Sequence, residues 1–245
     1  MKTALVTGAS GKIGTAIVIR LLEKGYTVTA HYNKNESGKT ALLTEAEKIG
    51  KGDCLYFIKA DLNDAKKAVS VADYALKTMG QVDLLVNNAG VDLYKLTDEC
   101  TEEDYDFIMN VNFKAAFLIT KTLLPSMITR KSGNVIFISS VLGDKGGSME
   151  TLYSASKGAL ISFSKALAKE VGLSGIRVNC VCPGAIDTPM NDIFEENEKR
   201  DICERTALGR LGHASEIADL VTFLASDRAS FITGQTITAD GCFNI

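Results

Sequence analysis

Short apolar runs alternate with longer amphipathic segments along this chain of 245 residues. The apolar runs have the length of buried strands, and they are Ala4–Val6, Tyr26–His31, Leu55–Ile58, Val82–Val86, Asn134–Ile138, Arg177–Val181 and Gln235–Thr238. The amphipathic segments, whose apolar residues recur at three and four positions as on one face of a helix, include Ile13–Lys24, Asp64–Thr78, Glu103–Thr129 and Tyr153–Val171. This alternation predicts an α/β fold: a doubly wound, seven-stranded parallel sheet with helices on both faces.

The length of the chain fits one domain spanning residues 1–245, because no Pro- or Ser-rich linker divides it. Residues 187–206 are polar, follow a strand end and interrupt the alternation, which predicts an inserted helical lid for the substrate.

Composition argues against several functions. A net charge of −3 with scattered Lys and Arg speaks against nucleic-acid binding. No apolar run approaches bilayer-spanning length and the N-terminus leads directly into a strand, so neither membrane insertion nor an export signal is expected. Six cysteines without such a signal favour reduced thiols in a cytoplasm. Cys180 and Cys182 are expected to pack in the core, and no metal site is predicted.

Five of the predicted strands end in small or polar residues. These ends are Thr7–Gly14, Lys59–Leu62, Asn87–Gly90, Ser139–Ser140 and Cys182–Gly184. In a doubly wound sheet the ligand lies in the crevice outside the C-terminal strand ends. The five segments are therefore expected to meet at one site.

A glycine-rich segment joins the first strand to the first helix. Gly8, Gly11 and Gly14 would let the backbone approach a pyrophosphate, to which the helix N-terminus offers N–H groups and a positive dipole. The same predicted dinucleotide-binding loop contains Ser10, Lys12 and Ile13.

The end of the second strand bears on cofactor choice. NAD-preferring sites usually place an acid there, bonded to the ribose 2′-hydroxyl. Asn33 and Lys34 occupy this position instead, and Glu36 comes too late. Because an acid would repel a 2′-phosphate whereas Lys34 or Lys12 would attract one, NADP(H) is expected, with NAD(H) as the alternative. His31 is expected to pack within the second strand and to bind no ligand.

Tyr153 and Lys157 are four residues apart and so share one face of a helix. A free tyrosine has a pKa of about 10, and a nearby cation favours its phenolate. The pair therefore predicts acid–base chemistry in which Lys157 lowers the pKa of Tyr153. Ser140, at its strand end, can donate a hydrogen bond to a substrate oxygen, and Asn112 lies in the long helix after Asn87–Gly90.

Taken together, these motifs resemble the short-chain dehydrogenase/reductase family over essentially the whole chain. The matching residues are Thr7-Gly8 with Gly14, Asp61, Asn87-Asn88-Ala89-Gly90, Asn112, Ser140, Tyr153 with Lys157, and Pro183-Gly184 with Thr188. The resemblance implies that Tyr153 is the general acid in reduction, that Ser140 polarises the carbonyl and that Lys157 holds the nicotinamide ribose. It also implies that Asn112 anchors a water linking Lys157 to solvent.

Further cofactor contacts are implied by the same resemblance. Asp61 and Leu62 would contact adenine, and Asn88, Ala89 and Gly90 would line the adenosine ribose. Pro183 belongs to the Pro183-Gly184 motif. Ile186 and Thr188, which follow this motif, would close over the nicotinamide amide. One departure is that Lys12 stands where the family usually has glycine, and Gly11 where it often has a basic residue.

Within the family, residues 209–235 are similar to 3-oxoacyl-[acyl-carrier-protein] reductases, the enzymes of fatty acid biosynthesis. This implies NADPH-dependent reduction of a 3-oxoacyl thioester. The alternatives are a reductase or dehydrogenase of another small alcohol, sugar or steroid, and a dinucleotide-binding regulator without catalysis. The last is disfavoured because Tyr153 and Lys157 are both present.

Three expectations concern substrate and partners. An apolar pocket wall suited to an acyl chain is predicted from Val141, Leu142, Met149, Leu152, Ile186, Met190, Ile193 and Phe194. Arg130-Lys131 could meet an acidic acyl carrier protein, although Leu173-Ser174-Gly175 lacks a basic residue that carrier-binding relatives often have. Surplus apolar surface on the two long helices predicts a homotetramer, with Phe113, Phe117, Leu160 and Phe163 as the residues concerned.

Overall fold

The computed structural model describes residues 2–188 and 195–243. Within them, parallel strands form one seven-stranded sheet in the order β3-β2-β1-β4-β5-β6-β7. The strands are β1 Thr3–Val6, β2 Thr27–Tyr32, β3 Leu55–Lys59, β4 Leu84–Asn87, β5 Gly133–Ile138, β6 Ile176–Pro183 and β7 Thr236–Ala239. Each predicted strand lies within two residues of the observed one. The order reverses between β1 and β4, which opens a crevice at the C-terminal strand ends, as in a Rossmann fold.

Helices cover both faces of the sheet, as predicted. One face carries α1 (Lys12–Glu23), α2 (Glu36–Lys48) and α9 (Ala214–Ala225), and the other carries α3 (Ala65–Met79), α5 (Ala115–Arg130) and α7 (Thr151–Val171). Successive side chains of a strand point to opposite faces. In β1, for example, Ala4 and Val6 pack in the core beneath α1, whereas Leu5 packs in the core beneath α3 and α5.

The predicted helix Glu103–Thr129 is interrupted. It begins as α4 (Glu102–Met109), whose first turn is closed by a capping box between Thr101 and Asp104. A π-helical turn at Asn110–Lys114 follows before α5. A π turn holds one more residue than an α turn and so shifts the side chains after it. The period of apolar residues along the sequence is too coarse to show this insertion.

The helical run Glu102–Arg130 is also longer and more apolar than expected. By length and composition alone its 29 residues could cross a membrane, with a mean hydropathy of 1.2 over the best window. The run is not uninterrupted, because Lys114 and Lys121 lie within it. The core helix of a globular protein passes the same test, and Ile119, Leu123 and Met127 on this run are fully or almost fully buried in the sheet core.

Two short helices flank the C-terminal strand ends. Helix α6 (Leu142–Lys145) follows β5, and α8 (Glu196–Glu204) lies within the predicted lid at 187–206. A helix therefore does occur there, while its role as a lid stays a prediction. Met190, Ile193 and Phe194 lie outside the described residues.

Several smaller expectations can be checked in the packing. Cys180 and Cys182 are fully buried in the core, as predicted. Phe163 makes edge contacts with the rings of Phe113, Phe117 and Phe137, at centroid distances of 5.6–5.9 Å. Leu160 is 1% exposed, so its inclusion in a surplus apolar surface is wrong.

The arginine expected to face a carrier protein is engaged within the chain. Arg130 donates from one guanidinium nitrogen to Asp83 Oδ1 at 2.9 Å and from the other to the Val82 carbonyl at 2.8 Å. Its side chain ties the end of α5 to the start of β4. Arg130 is thus paired within the chain, and docking of a carrier protein at Arg130-Lys131 stays a prediction.

Candidate active site

A cavity of about 450 Å³ opens at the C-terminal ends of β1, β4, β5 and β6. The predicted site residues that line it are Ile13, Asn88, Gly90, Ser140, Tyr153, Lys157, Pro183, Ile186 and Thr188. Four of the five strand ends singled out in the sequence thus meet around one space, whereas Lys59–Leu62 does not line it.

The glycine-rich loop is held tightly against β4. Gly8 has a φ of +65°, and a Cβ on it would lie 2.8 Å from the Ala89 Cα. A Cβ on Gly14 would overlap the Gly8 carbonyl oxygen, whereas at Gly11 it would meet only that oxygen, at 3.6 Å. Helix α1 begins at Lys12 without a side-chain cap and without an acid in its first turn. This loop and uncapped helix start fit a pyrophosphate group.

Thr7 and Asn88, which both belong to the sequence motifs, hold this loop in place. The Thr7 hydroxyl accepts hydrogen bonds from the Asn88 and Ala89 N–H groups, each at 3.0 Å. The Asn88 amide in turn donates to the carbonyls of Thr7 and Gly8, at 2.9 and 3.1 Å. The end of β4 therefore fixes the shape of the loop after β1.

The end of β2 holds no acid facing the expected ribose position. Asn33 donates to Asp61 Oδ1 at 3.4 Å, and Lys34 is exposed. Glu36 pairs with Lys59 at 2.6 Å. Asn35, which no motif singled out, caps α2 and donates to the Ser10 carbonyl at 2.8 Å.

Lys12 is directed elsewhere than the sequence suggests. Its ammonium lies 3.5 Å from the Asp187 carboxylate, across the cleft from the glycine loop. Lys34 is therefore the better placed of the two cations for a 2′-phosphate, since it follows β2 directly.

Tyr153 and Lys157 project from the first turns of α7 into the cavity, and both are buried. Ser140 lies close enough to Tyr153 to lower the pKa of its phenol, and the Ser140 hydroxyl accepts from the Leu142 N–H at 3.1 Å. The Lys157 ammonium donates to the Ile138 carbonyl at 3.0 Å and lies 5.6 Å from the centre of the Tyr153 ring. A buried hydroxyl pair beside a buried amine is an arrangement suited to moving one proton.

The sequence profile of the short chain dehydrogenase family matches residues 2–199. This chain belongs to that family. It is 40% identical over 243 residues to the uncharacterized oxidoreductase YmfI of Bacillus subtilis (strain 168), covering 98% of both chains. It is 38% identical over 241 residues to the 3-oxoacyl-[acyl-carrier-protein] reductase FabG of Thermotoga maritima, covering 98% of this chain and 96% of that protein. The chain is therefore an oxidoreductase, as predicted.

A solved structure shares both fold and sequence with this short-chain dehydrogenase. The actinorhodin polyketide ketoreductase, determined as a variant in complex with NADPH, superposes with a TM-score of 0.92 at 32% identity. The match covers 100% of this chain and 98% of that one. The predicted Rossmann fold of the family is confirmed.

Burial sets the proton affinities in this short-chain dehydrogenase. It raises the pKa of Tyr153 above its usual range, and the charge of Asp92 raises it further, while the Ser140 hydrogen bond lowers it. Burial also lowers the pKa of Lys157 to about 8. A lowering effect of Lys157 on the pKa of Tyr153 stays a prediction. The amine is itself desolvated, and the nearby carboxylates act on the phenol in the opposite sense.

Asn112 lies in the π-helical turn and is buried. Its side-chain oxygen accepts from the Val91 N–H at 2.8 Å, and its nitrogen donates to the Val91 carbonyl and to the Ser156 hydroxyl, both at 2.9 Å. The amide thus clamps the segment after Gly90 to α7. A water between Asn112 and Lys157 stays a prediction.

The cavity wall of this short-chain dehydrogenase is more polar than expected. Val141, Leu142 and Ile186 line it as predicted, whereas Met149 and Leu152 do not. Five polar residues that sequence reasoning missed also line it, namely Asp92, Tyr94, Ser148, Glu150 and Arg205.

Two of these missed residues form a carboxyl pair beside Tyr153. A hydrogen bond joins Glu150 to Asp92, and burial together with this neighbour raises the pKa of Glu150 to about 8. The two residues are far apart in the sequence, and no motif connects them. This part of the cavity is therefore polar, whereas Val141, Leu142 and Ile186 form an apolar part of the wall as predicted.

Proposed function

We propose that the protein reduces the carbonyl of a 3-oxoacyl group with NADPH. The observation that carries the proposal is the buried group formed by Tyr153, Ser140 and Lys157 at the same cavity as the glycine loop. When bound, the nicotinamide would supply a hydride to the carbonyl carbon, and the protein's own residues would supply the proton.

The residues that would hold the cofactor follow from the strand ends. Its phosphates would lie at the Gly8–Gly14 loop, with Asn88 to Gly90 beside the ribose and Asp61 with Leu62 at the adenine. Pro183, Ile186 and Thr188 line the cavity on the nicotinamide side. NADPH is proposed over NADH because the end of β2 presents Asn33 and exposed Lys34 and no carboxylate.

Tyr153 is proposed as the proton donor in reduction. Its raised pKa keeps the phenol protonated at neutral pH, which is the state that a general acid needs before the carbonyl oxygen gains charge. Ser140, which lines the same cavity as the phenol, would hold the same oxygen. Lys157, with a pKa of about 8, can return a proton to the phenol near neutral pH. Asn112 keeps the wall after Gly90 in position for this transfer.

The 38% sequence identity to a 3-oxoacyl-[acyl-carrier-protein] reductase supports a 3-oxoacyl substrate, as does the structural similarity to a polyketide ketoreductase. Reduction of a small, hydroxylated ketone is the second candidate, favoured by one observation. Asp92 and Glu150 place hydrogen-bonding groups in the wall beside Tyr153, which suits hydroxyl groups of a substrate better than an alkyl chain.

Docking of acyl carrier protein and assembly into a homotetramer belong to the same proposal. With Arg130 bound to Asp83, Lys131 is the cation that remains exposed at this corner. Exposed large apolar side chains on α4 and α5 support assembly, because Tyr105, Phe107, Phe117 and Ile128 are 37–49% exposed.

The experiment is an absorbance assay of NADPH oxidation by the purified protein. Its substrates are acetoacetyl-carrier protein, a small acetoacetyl thioester, and a panel of sugar and cyclic ketones. Turnover of both thioesters, abolished in Tyr153→Phe, is expected. Preference for the carrier form would support docking, and equal efficiency on both would reject it. Activity on a polyol ketone with none on either thioester would reject the 3-oxoacyl class.

A further inference from the structure

His31 occupies the junction between the glycine loop and the adenine end of the site. It is 2% exposed and belongs to β2, the strand between β1 and β3. Its Nδ1 lies 3.2 Å from the Gly8 backbone nitrogen, and its Nε2 lies 3.0 Å from the Ala60 carbonyl oxygen. Ala60 directly precedes Asp61. One rigid ring therefore connects two segments that the proposed cofactor would span.

The two partners determine the form of the imidazole. The Gly8 N–H can only donate, so Nδ1 must be the acceptor. The Ala60 carbonyl can only accept, so Nε2 must carry the hydrogen. His31 is therefore neutral, in the Nε2–H tautomer.

Gly8 depends on outside groups for its conformation. Its φ is +65°, and its carbonyl accepts from the Asn88 amide at 3.1 Å and from the Gly11 N–H at 3.2 Å. The His31 ring takes up the remaining backbone group, the N–H. The first residue of the glycine loop is thus held from β4 on one side and from β2 on the other.

We propose that His31 is a positioning residue that shapes the glycine loop for the cofactor pyrophosphate, and that protonation of its ring weakens cofactor binding. The proposal rests on the dinucleotide binding proposed above. A proton on Nδ1 would place two donors face to face, since Nδ1 meets the Gly8 N–H. The loop would then have to move away from the ring.

The surroundings of the ring set the pH at which His31 becomes protonated. Burial lowers the pKa of His31 below its usual range, and the Ala60 hydrogen bond and the Asp61 charge oppose that effect more weakly. Among the described residues the charged neighbour acting on the ring is Asp61, after β3. Lys59 on β3 is engaged with Glu36, and Lys12 of the loop with Asp187. Cofactor affinity is therefore expected to be constant near neutral pH and to fall only below the pH range in which histidines usually titrate.

The test measures the dissociation constants of NADH and NADPH by fluorescence titration from about pH 5 to about pH 8. The variants are His31→Asn, which keeps an acceptor for Gly8 but cannot titrate, and His213→Asn, which removes the other of the two histidines. His213 caps α9 at an exposed position, and Asn is a good cap there. NADH is included because the 2′-phosphate of NADPH itself titrates near a pKa of about 6.

Wild type and His213→Asn are expected to lose about tenfold in affinity for both cofactors in acid, the size of a broken hydrogen bond. His31→Asn should show no such loss with NADH. The His31→Asn substitution should change the KM for the cofactor and leave kcat unchanged, whereas a general loss of structure would also lower kcat. An equal acid loss of NADH affinity in His31→Asn and wild type would overturn the proposal.

A measurement on the wild type keeps the idea testable if the variant does not fold. Nitrogen NMR of the two imidazoles should find His31 neutral in the Nε2–H tautomer at neutral pH. The Nδ1–H tautomer would overturn the proposal. Failure to bind either dinucleotide at any pH would instead reject the proposed function, since the tautomer is read without cofactor.

Discussion

Glu150→Gln tests whether Glu150 in the cavity holds its proton as tightly as its surroundings indicate. Burial and the bonded, charged neighbour Asp92 raise the pKa of Glu150 from 4.5 to about 8. The folded protein therefore binds this proton more tightly than the unfolded chain does. The resulting stabilisation is complete below the unfolded pKa of 4.5 and is lost as the pH rises through about 8.

The magnitude of the expected stability change follows from the pKa shift of Glu150. Each pKa unit corresponds to about 1.4 kcal/mol, so the whole shift would represent about 5 kcal/mol in a fully buried site. Glu150 is only half-buried, and solvent screening reduces the expected change to about 2 kcal/mol. Gln cannot ionise, so Glu150→Gln should gain about this much stability relative to wild type between mildly acidic and alkaline pH.

The assay is urea unfolding followed by circular dichroism at about pH 4 and about pH 9, on either side of the interval between the two pKa values. Glu170→Gln is the matched control, because Glu170 lies exposed near the end of the same helix. It should follow the wild type at both values. If Glu150→Gln loses as much stability between the two pH values as the wild type does, the carboxyl pair does not hold the proton and the reasoning fails.

Further predictions concern catalysis, cofactor choice, packing and assembly. Tyr153→Phe should lower kcat by about 10³-fold while NADPH still binds and the melting temperature stays close to wild type, and turnover within a few-fold of wild type would reject Tyr153 as the proton donor. The ratio of kcat/KM should favour NADPH over NADH, and the reverse order would show that Asn33 and Lys34 do not receive the 2′-phosphate. Arg130→Ala should lose about 1–2 kcal/mol of unfolding free energy, because Asp83 and the Val82 carbonyl lose their donors, and an unchanged value would contradict this. Light scattering should give a tetramer, and a monomer at micromolar concentration would refute the assembly.

Much of the fold could be predicted because periodicity is a local property. The spacing of apolar residues records which face of each element is buried, so the strands and most long helices were found to within two residues or so. Glycines at a strand–helix junction and polar residues at strand ends carry meaning through their position alone. These signals also place Ser140, Tyr153 and Lys157 at the site.

What the sequence determined by itself is therefore the order of elements and the edge of the sheet at which the site lies. Only the tertiary structure decided which side chains meet there. Asp92 and Glu150 become neighbours because the loop after β4 folds against the start of α7. His31 meets Gly8 because β2 lies beside β1. Proton affinities likewise depend on desolvation and on charges from distant segments, which no spacing along the chain records.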